Sequence, residues 1–247
     1  MIYLKSPSEI AIIKRNGAIL KSCFEAISKM IEVGVKKKEI DEVVEDVIAK
    51  NKARPAFKGF HGYPAATRIS VNDEVVHGIP NGRVLEEGNI CGIDIGVYKD
   101  GYYADAARTF AVGGISEQTH KLLDVARTAL EKGIEKARIG NRLGDISHAV
   151  ESYVKRNGFS VVKTLVGHGI GQQMHEEPQV PNFGPPAQGP ELEEGLVLAI
   201  EPMVNVGKSD VYTLQDGWTV VTVDHSYSAH FEDTVAITKD GPQILTR

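Results

Sequence analysis

A chain of 247 residues, 42% hydrophobic and 25% charged, has the make-up of a folded globular domain and is long enough to bury a sizeable core. Its net charge of −5 offers no basic surplus for nucleic acid, and no run approaches the ~18 consecutive apolar residues of a membrane span. Two cysteines, Cys23 in an amphipathic stretch and Cys91 in an apolar run, argue against a disulfide framework; with no basic-then-apolar leader, the expectation is a cytoplasmic protein.

Ser6-Pro7-Ser8-Glu9 reads as a helix start, with Ser6 as N-cap, a proline in the first turn and Glu9 closing a capping box. Ile10, Ile13, Leu20, Phe24, Ile27 and Ile31 then recur at helical spacing and carry this predicted helix to about Gly34. The run Lys36-Lys37-Lys38 reads as the solvated approach to a second helix over 39–50, with Ile40, Val43, Val44, Val47 and Ile48 on its buried face. Residues 57–112 are rich in Gly, Val, Ile and turn signals and read as strands and loops. Ser116 caps a third predicted helix, which runs to about Ala137 and carries Leu122, Leu123, Ala126, Leu130 and Ile134. A fourth covers 143–157 and stops at Gly158, and the remainder again reads as strands and loops.

The two helix pairs align. Val33-Gly34 with Ile139-Gly140, Ile40 with Ile146, Val44 with Val150 and Glu45 with Glu151 share an offset of 106 residues. Such a repeat suggests duplicated halves of about 6–112 and 116–240, each helix–helix–strands. The expectation is one pseudo-symmetric α+β domain over 1–247.

Chemistry concentrates in the strand regions. In the segment 89–110, Asp100-Gly101 is a hairpin signal between two β-prone runs. A turn centred between Lys99 and Asp100 sets Asp94 opposite Asp105 on one face, with Cβ atoms about 4.5–5.5 Å apart. Asp94 is flanked by Ile93 and Ile95, so its strand is expected to be buried, where an unpaired carboxylate is costly unless it holds a proton or a cation. Glu201 ends the apolar run 196–200 and lies 107 residues after Asp94, close to the repeat offset. Glu232 lies inside a further β-prone run, 228–237, and His168 sits in Gly167-His168-Gly169-Ile170-Gly171. That glycine spacing is wrong for a dinucleotide loop. Four carboxylates and one imidazole suit divalent Mn, Fe, Co or Zn, and bridging carboxylates hold hydrolytic metal pairs about 3.5–4 Å apart.

The spacing of Asp94, Asp105, His168, Glu201 and Glu232 resembles that of the methionine aminopeptidases, members of metallopeptidase family M24. So do Val76-His77-Gly78-Ile79-Pro80, Gly167-His168-Gly169-Ile170-Gly171, His175-Glu176-Glu177-Pro178 and Glu201-Pro202-Met203. The likeness runs from Ser6 to the C-terminus, with the length of the short bacterial type I form. It implies the pita-bread fold: a pseudo-two-fold α+β domain with a curved, mainly antiparallel sheet and helices on its outer face. It also implies removal of the initiator methionine from nascent proteins and peptides, by a hydroxide that two divalent ions activate.

In that resemblance Asp94, Asp105 and Glu232 hold one metal, Asp105 and Glu232 bridge to the other, and His168 and Glu201 complete the coordination of the second ion. Glu201 doubles as general base, His77 contacts the scissile amide and His175 stabilises the oxyanion. Phe60, Tyr63, Met174 and Trp218 fall where the family lines its methionine pocket, and aromatic faces suit a thioether. A monomer is implied, and contact with the ribosome follows only from the substrate class.

Two residues depart from the family pattern. Arg68, nine residues before His77, stands where a small residue, often cysteine, is usual; it either swings out to an acid or alters the pocket. Asp233 follows Glu232 where histidine is common, and its neighbourhood implies tuning of the metal. The competing readings are an Xaa-Pro aminopeptidase or prolidase, which shares the ligands but usually carries a large extra N-terminal domain, and a non-catalytic binding module, which would have lost ligands.

Overall fold

The computed structural model describes residues 1–247, beginning with α1 (Pro7–Ile27). Its capping box forms as the sequence predicts: the Glu9 amide donates to the Ser6 hydroxyl and the Ser6 amide to the Glu9 carboxylate. The helix stops earlier than the periodicity implied. Gly34, at φ 99°, donates its amide to the Leu85 carbonyl and draws the chain toward the sheet, so Ile31 packs on the core from outside the helix. Helix α2 (Lys37–Lys50) follows, and here the reading of a solvated lysine run fails at Lys37, while Lys38 is exposed. Lys37 is 1% exposed, with its ammonium 3.1 Å from the Glu74 carboxylate, which offsets the cost of burying the charge.

Helices α3 (Glu117–Lys136) and α4 (Leu143–Arg156) pair as α1 and α2 do. The 106-residue offset recurs in three dimensions. Gly34 and Gly140 both take positive φ, the Lys36 and Arg142 amides donate to Glu39 and Asp145 respectively, and Ile40 and Ile146 are both fully buried. Lys36 bridges to Val84, and Arg142 bridges to Glu191.

The strands of the first half are β1 (Arg54–Pro55), β2 (Thr67–Val71), β3 (Glu74–Val76), β4 (Ile90–Lys99) and β5 (Tyr102–Ala111). The second half supplies β6 (Ser160–Val161), β7 (Gly167–Gly169), β8 (Glu176–Val180), β9 (Val197–Ile200), β10 (Met203–Asn205), β11 (Val211–Thr213), β12 (Val220–Thr222), β13 (Ser228–His230), β14 (Glu232–Thr238) and β15 (Gly241–Ile244). A nine-stranded sheet runs β1-β4-β5-β14-β9-β7-β8, with β2 added on β4 and β15 on β14; every pair in it is antiparallel. Two small sheets, β13-β10-β6 and β11-β12-β3, flank it.

Alternation along the strands divides the sheet into two faces. Ile93, Ile95 and Val97 of β4 and Ala104 and Ala106 of β5 pack under α1 and α2. Leu198 and Ile200 of β9 and Val235 and Ile237 of β14 pack under α3 and α4. Residues of opposite parity near the strand centres, Asp94, Ala107, Glu232 and Ala199 among them, face the other side.

Candidate metal centre and substrate cavity

The hairpin turn sits on Asp100 and Gly101, both at positive φ (52° and 85°), as a two-residue turn that matches strand twist requires. Lys99 therefore opposes Tyr102, Asp94 opposes Ala107 and Asp105 opposes Gly96. The expected direct opposition of Asp94 and Asp105 does not occur. Moving the turn centre by one residue moves each partner by two, and because strand side chains alternate with period two, the aspartates stay on one face as diagonal neighbours.

From there the register extends the row. Asp94 opposes Arg68 on one side and Ala107 on the other, and Ala107 opposes Glu232. Thr234, two residues past Glu232, opposes Ala199, which opposes His168; Glu201 lies two residues past Ala199. Opposed residues share a face, so all five predicted ligands, carried on or beside five strands, point away from the helices together with Arg68.

They line one cavity of about 650 Å³. Ligand atoms of Asp105, His168 and Glu232 lie within 4.8 Å of one another. Glu201 sits 3.6 Å from His168 Nε2 through one oxygen and 3.6 Å from His230 Nε2 through the other, while Asp94 pairs with Arg68 at 3.2 Å. His168 Nδ1 lies 2.9 Å from the Gly169 carbonyl, which can only accept, so that nitrogen carries the proton and Nε2 presents its lone pair to the cavity.

The donor set fits a cation. Asp94 Oδ1, Asp105 Oδ1 and Glu232 Oε1 are buried without a hydrogen-bond partner, an expensive state for carboxylates that a divalent ion would relieve. Burial, reinforced by the Asp94 charge, pushes the Asp105 carboxyl well above the usual range; burial and Asp105 do the same to Glu232, and burial raises Glu201. Burial drives His168 down to about 3, keeping it neutral as a metal ligand must be.

The family model "Metallopeptidase family M24" matches residues 11–239. A methionine aminopeptidase of Clostridium perfringens is 51% identical over 246 residues, covering 100% of this chain and 99% of that one. The chain belongs to the methionine aminopeptidases of metallopeptidase family M24. The crystal structure of the Thermotoga maritima methionine aminopeptidase superposes with a TM-score of 0.99 at 44% identity, covering all of both chains, which makes the fold the pita-bread fold that the sequence implied. A prolidase from Pyrococcus furiosus gives a TM-score of 0.81 at 25% identity, and this chain spans only 65% of it.

Of the substrate-contact residues that likeness to the methionine aminopeptidases implied, His77, His175, Phe60 and Trp218 line the cavity. Tyr63 and Met174 do not; each is 1% exposed in a cluster with Phe57 behind the wall. The Tyr63 hydroxyl donates to the Thr67 and Gly78 carbonyls, and its ring meets Trp218 edge-on at 5.1 Å, so it braces the pocket rather than lining it. His77 is held at φ 62°, a left-handed conformation that costs a non-glycine residue about 1 kcal/mol and marks a position where geometry outweighs strain. His175 stands 4.5 Å from His168 and 5.5 Å from Phe60, ring to ring. Burial lowers His175 and takes His77 to about 3, so both are neutral at neutral pH.

Arg68 does not swing out. It stays in the cavity wall, paired with Asp94 and lying over the Phe57 ring at 3.8 Å. Asp233 takes the opposite parity from Glu232 and so faces the helices, where it accepts from Arg108, Thr246 and Arg247. Its role is to anchor the C-terminus, not to tune the metal as its sequence neighbourhood implied.

Sequence reasoning misses His230. It is 4% exposed, pinned by its amide to the Thr109 hydroxyl, with Nε2 unpartnered except for the longer approach to Glu201. A histidine inside the same apolar run as Glu232 was the available signal.

Proposed function

We propose that this chain removes the N-terminal methionine from peptides and nascent chains, using two divalent ions from among Co, Mn, Fe and Zn. The observation that carries this reading is the row of five ligand side chains on one sheet face, three of them with buried, unpartnered oxygens. Asp94, Asp105 and Glu232 would hold one ion, and Asp105, Glu232, His168 and Glu201 the other. When bound, the ions would supply Lewis acidity for a water and the scissile carbonyl and a seat for the free amino group, which would limit cleavage to the first residue.

The remaining work falls to the protein. Glu201 receives the water proton on a carboxylate whose affinity for it burial has raised, and His230 lies 3.6 Å from the same group. Neutral His175 donates to the developing oxyanion, and neutral His77 to the scissile amide. Phe60 and Trp218 present aromatic faces to the methionine thioether, with Phe57, Tyr63 and Met174 packed behind them. The two halves act as one catalytic unit, since each supplies ligands: Asp94 and Asp105 from the first, His168, Glu201 and Glu232 from the second. With nascent chains as substrates, the protein would work in the cytoplasm, beside the ribosome, as a monomer.

Assays with Met-Ala-Ser, with Xaa-Pro peptides and with Leu- or Lys-initiated peptides test the proposal in the presence of each metal. Methionine release that chelation abolishes and metal restores is expected, with little turnover of the others. Preferential Xaa-Pro cleavage, or no turnover with any metal, would refute it.

A further inference from the structure

Four carboxylates, Asp94, Asp105, Glu201 and Glu232, converge on the cavity, and among the residues that line it Arg68 is the only lysine or arginine. Its place is fixed by backbone register rather than by a long flexible reach, because Arg68 sits directly opposite Asp94 on the neighbouring strand. The guanidinium is stacked 3.8 Å from the Phe57 ring centre and 5.8 Å from that of Tyr63, and the residue is 8% exposed. Yet the pair is incomplete. Only Nη1 reaches Asp94, at 3.2 Å, Arg68 Nε has no partner, and Asp94 Oδ1 is also unpartnered. A buried ion pair in its best geometry is bidentate and fully hydrogen-bonded. This one leaves one oxygen of Asp94 without a partner while occupying the other.

Asp94 and Glu201 both lie outside the tightest group of ligand atoms, and of the two only Asp94 is paired with an arginine or lysine. Asp105, His168 and Glu232 already converge, whereas Asp94 is engaged by the cation beside it. We propose that Arg68 is a built-in counter-ion that competes with metal for Asp94, neutralising it in the metal-free chain and yielding it when an ion enters. The metal affinity that Asp94 contributes is then set by a difference: the attraction of the carboxylate for the ion, less its attraction for Arg68. Arg68 is a positioning residue in this scheme, acting through Asp94 without touching substrate. The inference rests on the reading of Asp94 as a metal ligand.

A double-mutant cycle measured by calorimetric Mn2+ titration of the metal-stripped full chain tests it. Arg68→Met keeps an apolar stem of similar length against Phe57. It should tighten Mn2+ binding by about tenfold or more, the scale on which groups touching a ligand change affinity. In an Asp94→Asn background the same substitution should give little or no gain, because the contested oxygen is gone. Metal-free Arg68→Met should also melt below the parent, since Asp94 is left buried without its cation, and saturating Mn2+ should close that gap. Unchanged affinity in Arg68→Met, or a gain that persists in full in the Asp94→Asn background, would overturn the competition. If Asp94→Asn leaves Mn2+ binding unaltered in both backgrounds, the assignment of Asp94 as a ligand fails, and the competition with it. Arg68→Gln, neutral but still polar, serves the same cycle should the methionine variant fold poorly.

Discussion

Replacing Glu232 by glutamine should abolish most of the activity while making the metal-free protein more stable. Glu232 is 1% exposed, its Oε1 has no partner, and its nearest charged neighbours include Asp105 and Glu201. Without an ion, burial and the neighbouring carboxylates penalise its ionised form, and glutamine keeps the shape while removing the ionisable group. Relief of that desolvation should raise the unfolding free energy of the metal-free chain by on the order of 1–3 kcal/mol. The gain has a pH signature. The folded-state carboxyl is raised above its unfolded value, so the parent holds its full stability below about pH 4.5 and loses it as pH rises through the folded value. The difference between variant and parent should therefore be near zero around pH 4 and grow above it, in denaturant titrations with chelator present. Turnover with saturating metal should fall by about a thousandfold, since in the proposed centre Glu232 would hold both ions and its loss would remove several kcal/mol of transition-state stabilisation. A variant that is less stable than the parent at neutral pH would mean that Glu232 has a protein partner that outweighs the repulsion.

His175→Ala should separate chemistry from metal binding. The ring lies in the cavity wall beside His168 and Phe60, outside the group of converging ligand atoms, and burial keeps it neutral. Loss of one donor to a developing oxyanion costs about 10²–10³ in kcat. KM for Met-Ala-Ser and the Mn2+ isotherm should stay close to those of the parent, and His175→Gln, which keeps an N–H donor, should recover part of the rate. Because folding lowers the pKa of His175, the group stays neutral as pH falls through 6.5, so its protonation should not limit the rate there. A metal affinity that falls in step with kcat would move His175 from the substrate to the metal.

The row of carboxylates lining the cavity was legible because polar residues interrupt apolar runs. Asp94 between two isoleucines, Glu201 after Ile200 and Glu232 among β-formers each signal a buried charge that needs a reason. The face they share was legible too, and it survived a misplaced turn centre, since a shift of two residues preserves side-chain parity. The same parity argument, carried one residue further, separates Asp233 from Glu232, but it needs the strand to be located first. His230 escaped notice because histidine in a strand is less conspicuous than a carboxylate.

Long-range partners were not readable at all. Lys37 meets Glu74, and Arg68 lies opposite Asp94, only because separate segments come together in the fold. Past the end of α1 at Ile27 the chain is drawn to the sheet by a hydrogen bond from the Gly34 amide to the Leu85 carbonyl, a contact that no local periodicity records. Tyr63 and Met174 were placed one layer too far forward, since sequence does not separate an aromatic that lines a pocket from one that braces it.

Anomalous diffraction from crystals soaked in Mn2+ puts the proposed metal pair to its hardest test. Two peaks are expected in the cavity, one bounded by Asp94, Asp105 and Glu232, the other by Asp105, His168, Glu201 and Glu232. Manganese found only on the protein surface, with the carboxylate row left bare at saturating concentration, would rule out the dinuclear centre.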